Sequence, residues 1–255
     1  MDVIINGING RMGRVVLETL TEEADVTVVA GFDKFAARDD DPPCCGTRIP
    51  VYANMNEYVG NADAIIDFSH FSTVPELMRY AKTVGIPVVV ATTALGNEAW
   101  EAMRDAARTT PIFHSPNMSL GVNIMAKMGK TAMPALEANY HVEIIEKHHA
   151  QKADSPSGTA LLLADAINEV CADRKDYLYG RHGTHDSCKL SDLGIHAVRG
   201  GNLPGQHTIL FAGPDETIEI THTVYSRRVF ALGALKAARF VAGREAGLYS
   251  MDDVI

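Results

Sequence analysis

Apolar runs of strand length alternate with helical patterns over the first half of the chain. Between two of these runs, Val74–Val84 places its apolar residues at helical spacing. Because strands that alternate with helices are typical of a parallel sheet, we expect an α/β fold with a Rossmann-type, doubly wound sheet. The strand-like runs are Asp2–Asn6, Asp25–Ala30, Ala64–Asp67, Pro87–Ala91 and Ile112–Phe113.

The pattern changes at Leu120, where a helical segment runs to about Leu136 and a strand pattern begins at His141. A helix to Cys171 comes next, followed mostly by strand-like runs that glycine and proline turns separate. This order predicts a second domain of α+β type with an open mixed sheet. Its later strand-like runs are Ile195–Val198, His207–Phe211 and Thr217–His222.

Two domains follow from this change of pattern. A last helix over Phe230–Ala246 returns the chain to the first domain. We therefore expect one domain over residues 1–119 and 228–255 and the other over residues 120–227. The exposed face and edge of an open sheet need covering, and self-association is a common way to cover them.

A glycine-rich loop joins the first strand to a helical pattern. Gly7, Gly10 and Gly13 permit a tight turn, close approach of the backbone to a pyrophosphate, and close packing of helix on strand. The spacing differs from the commonest dinucleotide fingerprint, because Asn9 stands where many such folds have glycine. Arg11 adds a cation beside the expected phosphate.

An acidic residue follows the second strand, about twenty residues beyond the glycines, where dinucleotide folds often carry one. Asp33 can accept hydrogen bonds from the ribose hydroxyls of NADH, whereas Lys34 can pair with the 2′-phosphate of NADPH. A plain turn after a strand would also place an acid here. The spacing favours the cofactor interpretation, and we expect use of both cofactors.

Polar residues also follow the later strands, at the carboxyl edge where doubly wound folds bind their ligands. Thr92 and Thr93 end one strand and are candidates for the nicotinamide site. Threonine is an ordinary strand terminator as well, so a purely structural role stays open for both.

Two adjacent imidazoles, an ammonium group and a Ser-Gly-Thr turn lie within residues 146–160, between a strand pattern and a helical pattern. Residues 157–159 would begin the helix, where N–H groups and the helix dipole favour a carboxylate or phosphate. His148, His149 and Lys152 would stand beside that anion. The alternative is a capped loop with surface histidines. The joint occurrence of proton donors and an anion-binding helix start favours an active site.

Composition narrows the class of protein. With 46% hydrophobic residues in 255, the chain can bury a large core, and its formal net charge of −9 argues against nucleic-acid binding. We see neither a signal peptide nor an apolar run of membrane length, so we expect a cytoplasmic protein without a membrane partner. Its four cysteines form no disulfide framework, and we expect reduced thiols.

A possible metal site needs weighing. His182, His185 and Cys188 stand at three-residue intervals and could ligate zinc. The surrounding residues are typical of a loop, and no clear fourth ligand accompanies them, so we expect no metal. Cys44 and Cys45, next to two prolines, are likewise interpreted as part of a loop and not as a redox centre.

Motifs over nearly the whole chain resemble the dihydrodipicolinate reductase family, also called the 4-hydroxy-tetrahydrodipicolinate reductases. The run over residues 146–160 is the most diagnostic. The resemblance implies reduction of a cyclic imine dicarboxylate with NADH or NADPH, in the bacterial diaminopimelate and lysine pathway. It also implies a homotetramer built mainly through the second domain's sheet. The other motifs lie at residues 7–13, 67–69, 91–93, 116–123, 199–201, 205–207 and 226–227.

The resemblance also implies roles for single residues. His148 falls on the family's catalytic histidine and Lys152 on its proton-donating lysine. Substrate-binding positions fall on His149, Gly158, Thr159 and Arg227, and the expected helix start adds Ser157. Cofactor-binding positions fall on Gly7, Ile8, Asn9, Gly10, Arg11, Met12, Asp33, Ala91, Thr92, Thr93, Pro116, Asn117, Met118 and Ser119.

Three positions depart from the family's usual pattern. Ala91 and Ala94 stand where glycine is usual, and Ser115 stands where alanine is usual. Added Cβ atoms at Ala91 and Ala94 would narrow the nicotinamide pocket or require ordinary backbone angles there.

Two other functions stay open. Another Rossmann reductase of a C=N bond, such as an imine or amino-acid dehydrogenase, would share the cofactor loop but would not need the arrangement of His148, His149 and Lys152. A nucleotide-sensing protein without turnover would keep the fold. The presence of both His148 and Lys152 argues against such a loss of activity.

Overall fold

The computed structural model describes residues 1–34, 43–44, 47–184 and 187–255, with the backbone alone given at 43–44 and 47–48. Two compact units make up the chain. Met1–Ser119 and Arg227–Ile255 form the first unit, and Leu120–Ser226 forms the second. Arg227 thus belongs to the first unit, one residue before the boundary expected from the sequence.

The described residues form strands and helices in both units. The strands are β1 (Asp2–Asn6), β2 (Thr27–Phe32), β3 (Pro43–Cys44), β4 (Thr47–Arg48), β5 (Val51–Tyr52), β6 (Ala64–Asp67), β7 (Val88–Val90), β8 (Pro111–His114), β9 (His141–His148), β10 (Asp176–Tyr179), β11 (Asp192–Arg199), β12 (Gly205–Ala212), β13 (Thr217–Val224) and β14 (Gly247–Tyr249). The α-helices are α1 (Arg11–Thr21), α2 (Val74–Val84), α3 (Asn97–Ala106), α4 (Leu120–Leu136), α5 (Gly158–Asn168) and α6 (Arg228–Val241). Short 3₁₀ turns lie at Met55–Glu57, Phe71–Thr73 and Met251–Asp253.

The first unit is built on a seven-stranded parallel sheet in the order β14-β8-β7-β6-β1-β2-β5. Successive residues of β1 point to opposite faces. Val3 and Ile5 pack with α1 and α6 in one core, whereas Ile4 packs with α2 and α3 in the other. Both faces are therefore covered, which explains the nearly continuous apolar runs of the strands. The doubly wound Rossmann-type sheet expected from the sequence is confirmed.

The second unit is built on a five-stranded mixed sheet in the order β10-β11-β9-β12-β13. Strands β10, β11 and β9 run parallel, while β12 is antiparallel to both of its neighbours. Helices α4 and α5 pack on one face, over a core that includes Val142, Ile144, Ile209 and Phe211. The α+β unit with a mixed sheet agrees with the sequence prediction.

Strand β9 is longer than its apolar pattern indicates, because it continues beyond Ile145 to His148. Glu146 and His148 point to the buried side of the sheet, at positions that simple alternation assigns to apolar residues. Buried polar groups can occupy such positions when hydrogen bonds satisfy them. The first residues of the expected strand-to-helix connection therefore belong to the strand.

Other element boundaries also differ. Helix α5 ends at Asn168 and not at Cys171, and helix α6 ends at Val241 and not at Ala246. Strands β10 and β14 were not predicted. They have four and three residues, which is too short for apolar alternation to be recognised.

Candidate active site

The glycine loop after β1 brings the start of α1 close to the strand end. Gly7 has a φ of +80°, which favours glycine. A Cβ at Gly13 would lie only 2.0 Å from the carbonyl oxygen of Gly7, so this position requires glycine too. No side chain of the described residues caps α1 at Gly10. A phosphate can therefore accept hydrogen bonds from the first N–H groups of the helix, and the loop fits a dinucleotide.

Asp33 links the glycine loop to the end of β2. Its Oδ2 accepts a hydrogen bond from the N–H of Asn9, with an N···O distance of 3.1 Å. Asp33 and the exposed Lys34 line a cavity of about 250 Å³ together with Gly7 and Gly10. The structure thus brings together the residues that the sequence assigns to the adenosine end of the cofactor.

A second cavity of the first unit, of about 490 Å³, gathers most of the other expected cofactor residues. Arg227, which the resemblance assigns to substrate, lines the same cavity. Ile8 and Ser119 do not line it, since their side chains are fully buried. The lining residues are Arg11, Met12, Phe68, Ser69, Ala91, Thr92, Thr93, Pro116, Asn117, Met118, Arg227 and Phe230.

Asp67, fully buried at the end of β6, joins three strand ends. Its Oδ1 accepts hydrogen bonds from Nδ2 of Asn6 at 2.8 Å and from Oγ of Ser69 at 2.5 Å. Its Oδ2 accepts one from Oγ1 of Thr92 at 2.7 Å. Burial raises the pKa of Asp67, and these hydrogen bonds oppose that effect. The Thr92 hydroxyl therefore holds the edge of the cavity in place, which is the structural role left open for it from the sequence.

The departures from the family pattern have physical consequences. Ala94 has a φ of 57°, so the expectation of ordinary backbone angles is wrong at this position. Ser115 accepts a hydrogen bond from the N–H of Asn117 at 3.3 Å and donates one to its carbonyl at 2.8 Å. The extra hydroxyl thus holds the loop that follows β8.

In the second unit, strand β9 ends in a buried carboxylate and imidazole. Glu146 is 0% exposed and His148 is 7% exposed. The Nδ1 of His148 lies 2.5 Å from Oε2 of Glu146. Arg199, on the neighbouring strand β11, donates hydrogen bonds of 2.7 Å to both oxygens of the same carboxylate. The carboxylate is therefore paired on two sides.

These contacts set the charges of the cluster. Burial raises the pKa of Glu146, but hydrogen bonds from Arg199 and His148 outweigh it, so the pKa lies below its usual value. Burial lowers the pKa of His148, and Glu146 offsets part of this effect. Because an ionised carboxylate only accepts hydrogen bonds, Nδ1 of His148 carries the hydrogen. Nε2 is then the nitrogen that can exchange a proton with a ligand.

Ser157 supports this cluster from the start of α5. Its Oγ accepts a hydrogen bond from the N–H of Ala160 at 3.1 Å and lies 3.0 Å from Nε2 of His207. Its own N–H donates to Oε1 of Glu146 at 3.0 Å. These contacts correct the expectation that the Ser157 amide clamps a substrate carboxylate. Burial, and next the charge of His148, lower the pKa of His207 to about 3.

The connection from β9 to α5 carries the other expected groups. The Nζ of Lys152 lies 2.8 Å from Oδ1 of Asp154, and the Lys152 side chain is 20% exposed. Gly158 and Thr159 are the first residues of α5. A Cβ at Gly158 would meet open space. The helix start is thus accessible beside Gly158, as an anion site requires.

Three residues of the second unit were given no role from the sequence: the buried Glu146 and His207 and the partly buried Arg199. All three lie in motifs that carry the resemblance, but a motif alone does not show which atoms meet. The position of Glu146, two residues before His148 on one strand, was a signal, because such residues share a face. His149 lies in the turn that follows, where its N–H donates to the carbonyl of Leu203 at 2.8 Å.

The described residues contain no group of three His, Cys, Asp or Glu side chains arranged to hold a metal ion. Of the residues considered for such chemistry, His185 and Cys45 lie outside the described residues, and Cys44 is described by its backbone alone. Within the described part of the chain, no helix is both long and apolar enough to span a bilayer.

Family models match both units. The model of the dihydrodipicolinate reductase N-terminus matches residues 1–118, and the model of its C-terminus matches residues 121–255. The chain belongs to the dihydrodipicolinate reductase family. It is therefore an oxidoreductase, and the family and the Rossmann-type fold together imply a nicotinamide cofactor. The resemblance stated from the sequence is confirmed.

Relatives in this family match over nearly their whole length. A 4-hydroxy-tetrahydrodipicolinate reductase of Caldanaerobacter subterraneus subsp. tengcongensis is 45% identical, covering 99% of this chain and 97% of the relative. One of Clostridium novyi is 41% identical, with 99% and 97% covered. A solved structure of dipicolinate-bound dihydrodipicolinate reductase from Paenisporosarcina sp. TG-14 has a TM-score of 0.81 at 24% identity, with 100% and 99% covered. That structure has the same fold.

Proposed function

We propose that the chain reduces 4-hydroxy-tetrahydrodipicolinate, through dihydrodipicolinate, to tetrahydrodipicolinate. The hydride donor is NADH or NADPH, and the reaction belongs to diaminopimelate and lysine biosynthesis. Support comes from full-length relatives named for this reaction, at up to 45% identity. Support also comes from the second unit, where the imidazole of His148 at the end of β9, the ammonium of Lys152 and the accessible start of α5 lie within eleven residues of chain.

That arrangement is the observation that carries the proposal. A cyclic dicarboxylate offers two anionic groups together with a ring that must gain a proton. The ammonium of Lys152 and the first N–H groups of α5, beside Gly158 and Thr159, suit the carboxylates. Nε2 of His148 is the proton-exchanging atom, because Glu146 holds Nδ1. His149 adds a further polar group to the same turn.

The chemistry needs a hydride and a proton. The 4-hydroxyl group leaves as water, and a bound nicotinamide supplies hydride to C4 of the conjugated imine. The carbon next to C4 takes up a proton. Lys152 donates a hydrogen bond or a proton from Nζ, and His148 delivers or relays a proton through Nε2. The Gly158 and Thr159 amides hold a carboxylate through this change of charge.

The cofactor belongs in the first unit, against the two cavities described above. Gly7, Gly10 and the start of α1 hold the pyrophosphate, while Asp33 and Lys34 meet the adenosine ribose or its 2′-phosphate. Thr93 and Asn117 line the larger cavity, where the nicotinamide is expected. Arg227 also lines that cavity, so its cation serves an anionic group bound there and belongs with the cofactor residues as much as with the substrate residues.

We further propose a homotetramer that associates through the second unit, and a cytoplasmic location. Helices α4 and α5 cover only one face of the second sheet. The strand register places Ile145, Val198 and Leu210 on the other face, and Val198 is 49% exposed. Self-association would cover this face. Light scattering at several protein concentrations tests the assembly, and a monomer at all of them would contradict it.

The deciding experiment is cofactor oxidation with substrate made in situ by a dihydrodipicolinate synthase from pyruvate and aspartate semialdehyde. Loss of NADH or NADPH absorbance that depends on the synthase supports the proposal and gives the cofactor preference. Cofactor binding without such oxidation would contradict it. Testing other cyclic imines and amino acids then separates another C=N reductase from a nucleotide sensor.

A further inference from the structure

The Glu146 carboxylate receives hydrogen bonds from four donor groups on three parts of the second unit. Arg199 donates to both oxygens at 2.7 Å from β11, and the N–H of Ser157 donates to Oε1 at 3.0 Å from the start of α5. His148, two residues along on β9, lies 2.5 Å from Oε2. The carboxylate is 0% exposed. A fully buried charge with every partner in place has little freedom to move.

The same contacts aim the imidazole of His148. With Nδ1 directed at Glu146, Nε2 faces Gly205 at the start of β12. A Cβ at Gly205 would lie 3.0 Å from that nitrogen, which is tighter than an ordinary contact. Glycine therefore leaves room beside the atom that exchanges the proton.

Arg199 also reaches the part of the chain that carries Lys152. Its Nη2 donates to the carbonyl oxygen of Asp154 at 2.6 Å. The carboxylate of Asp154 lies 2.8 Å from Nζ of Lys152. A continuous series of polar contacts therefore runs from His148 through Glu146, Arg199 and Asp154 to Lys152.

We propose that Glu146 and Arg199 are positioning residues that place both proton-donating groups, His148 directly and Lys152 through Asp154. This proposal rests on the proposed function, because it takes His148 and Lys152 as the proton donors. Glu146 fixes the tautomer and direction of His148 and stabilises its imidazolium form. Arg199 holds Glu146 in its ionised state and fixes the backbone that presents Lys152.

A purely structural role is the competing explanation. Buried ion pairs are weak evidence for stability, because the loss of hydration opposes the attraction of the charges. A structural pair would change the unfolding free energy on mutation but would leave the titration of His148 in place. The two explanations therefore differ in pH dependence. The charged and titratable groups that act on His148 are Glu146 of β9, Lys152 of the connection, Arg199 of β11 and His207 of β12.

Glu146→Gln keeps the size of the side chain and removes its charge. We expect kcat to fall about 10- to 100-fold, by analogy with carboxylates that orient metal-bound histidines, with cofactor affinity unchanged. The carboxylate raises the pKa of His148, so its loss lowers that pKa. The limb of the pH profile on which kcat falls with rising pH then moves to lower pH.

The matched control is Glu143→Gln on the same strand. Glu143 contacts His196 and Arg181, each at 2.7 Å, but it lies on the other face of the sheet. We expect this variant to keep the pH profile of the wild type. Arg199→Lys keeps the positive charge but loses the planar guanidinium, which donates to both oxygens of a carboxylate. We expect it to retain more activity than Arg199→Gln.

A readout without turnover separates this proposal from the proposed function. Nitrogen-15 NMR of labelled histidine, with His148 assigned through His148→Gln, gives the tautomer and pKa of the ring in each variant. Expected for Glu146→Gln are a lower pKa of His148 and a loss of the pure Nδ1–H tautomer. An unchanged titration, with kcat also unchanged, would overturn the positioning role. Absence of turnover in the wild type, with the NMR shift present, would instead count against the reductase function.

Discussion

The hydroxyl oxygen of Ser157 lies 3.0 Å from Nε2 of His207, and both side chains are almost completely buried. Nδ1 of His207 is buried without a hydrogen-bond partner among the described residues. Burial and the charge of His148 outweigh the attraction of the Glu146 carboxylate and lower the pKa of His207 to about 3.

This burial predicts a loss of stability in mild acid. Between pH 6.5, the ordinary value, and about 3, the unfolded chain binds a proton at His207 that the folded chain does not bind. The contribution of His207 to the unfolding free energy is therefore complete above pH 6.5. It decreases as the pH is lowered through the window, by at most about 1.4 kcal/mol per pH unit. Urea unfolding between about pH 5 and 7 measures the slope.

His207→Gln is the variant that isolates this contribution. The amide does not titrate. The slope of unfolding free energy against pH therefore becomes smaller by up to the amount that one bound proton contributes, about 1.4 kcal/mol per pH unit. It does not vanish, because burial also lowers the pKa of His114, His148 and His222. An identical slope in the two proteins would show that His207 does not titrate in this way.

Lys152→Ala should lower turnover about 100- to 10,000-fold, the usual range for a lost general acid. Cofactor affinity should stay the same, because Lys152 belongs to the second unit and the expected cofactor residues to the first. Stopped-flow turnover and fluorescence titration with NADH measure the two quantities. The control is Lys130→Ala, which breaks a Lys–Glu contact of the same 2.8 Å length with Glu169. Equal loss of NADH affinity in Lys152→Ala would refute the assignment.

Asp33 and Lys34 should set the cofactor preference in opposite directions. Asp33→Ala removes an acceptor for the ribose hydroxyls and a charge that repels a 2′-phosphate, so the preference moves toward NADPH by about tenfold. Lys34→Ala removes a phosphate partner and moves it toward NADH. Steady-state kcat/KM with each cofactor gives the ratio. If both variants changed the ratio in the same direction, the assignment of the two side chains would be wrong.

Ala94→Gly should stabilise the protein by at most about 1 kcal/mol. Ala94 has a φ of 57°, a conformation that costs an L residue about 1 to 2 kcal/mol and costs glycine little. The greater freedom of glycine in the unfolded chain offsets part of the gain. Thermal unfolding measures the change, and Ala99→Gly, inside helix α3, is the control in which the same replacement destabilises. A destabilised Ala94→Gly would mean that the left-handed backbone carries no strain.

The sequence predicted best those features that depend on residues close together in the chain. Residues 1–13 specify strand, glycine loop and helix through apolar runs and backbone freedom. Ser157 was recognised as a helix start for the same reason. Its contacts with Glu146 and His207 were not, because they join residues that are 11 and 50 positions apart.

Long-range pairing also explains the roles that were missed. Arg199 reaches Glu146 across 53 residues, only because β11 lies beside β9 in the second sheet. Asp67 gathers Asn6 and Thr92 for a similar reason, since β1 and β7 both neighbour β6. Which polar side chains meet depends on the order of the strands in the sheet, and the sequence alone does not predict that order.

The return of the chain to its first unit bears on synthesis at the ribosome. Helix α6 supplies Ala231, Ala234 and Leu235 to the core that contains Val3, and β14 pairs with β8. Residues 1–119 of the first unit therefore leave the ribosome before residues 227–255, which complete its core, have been synthesised. The second unit, in contrast, is one uninterrupted segment. The first unit cannot complete its core until synthesis ends, and apolar surface that stays exposed during that interval favours aggregation.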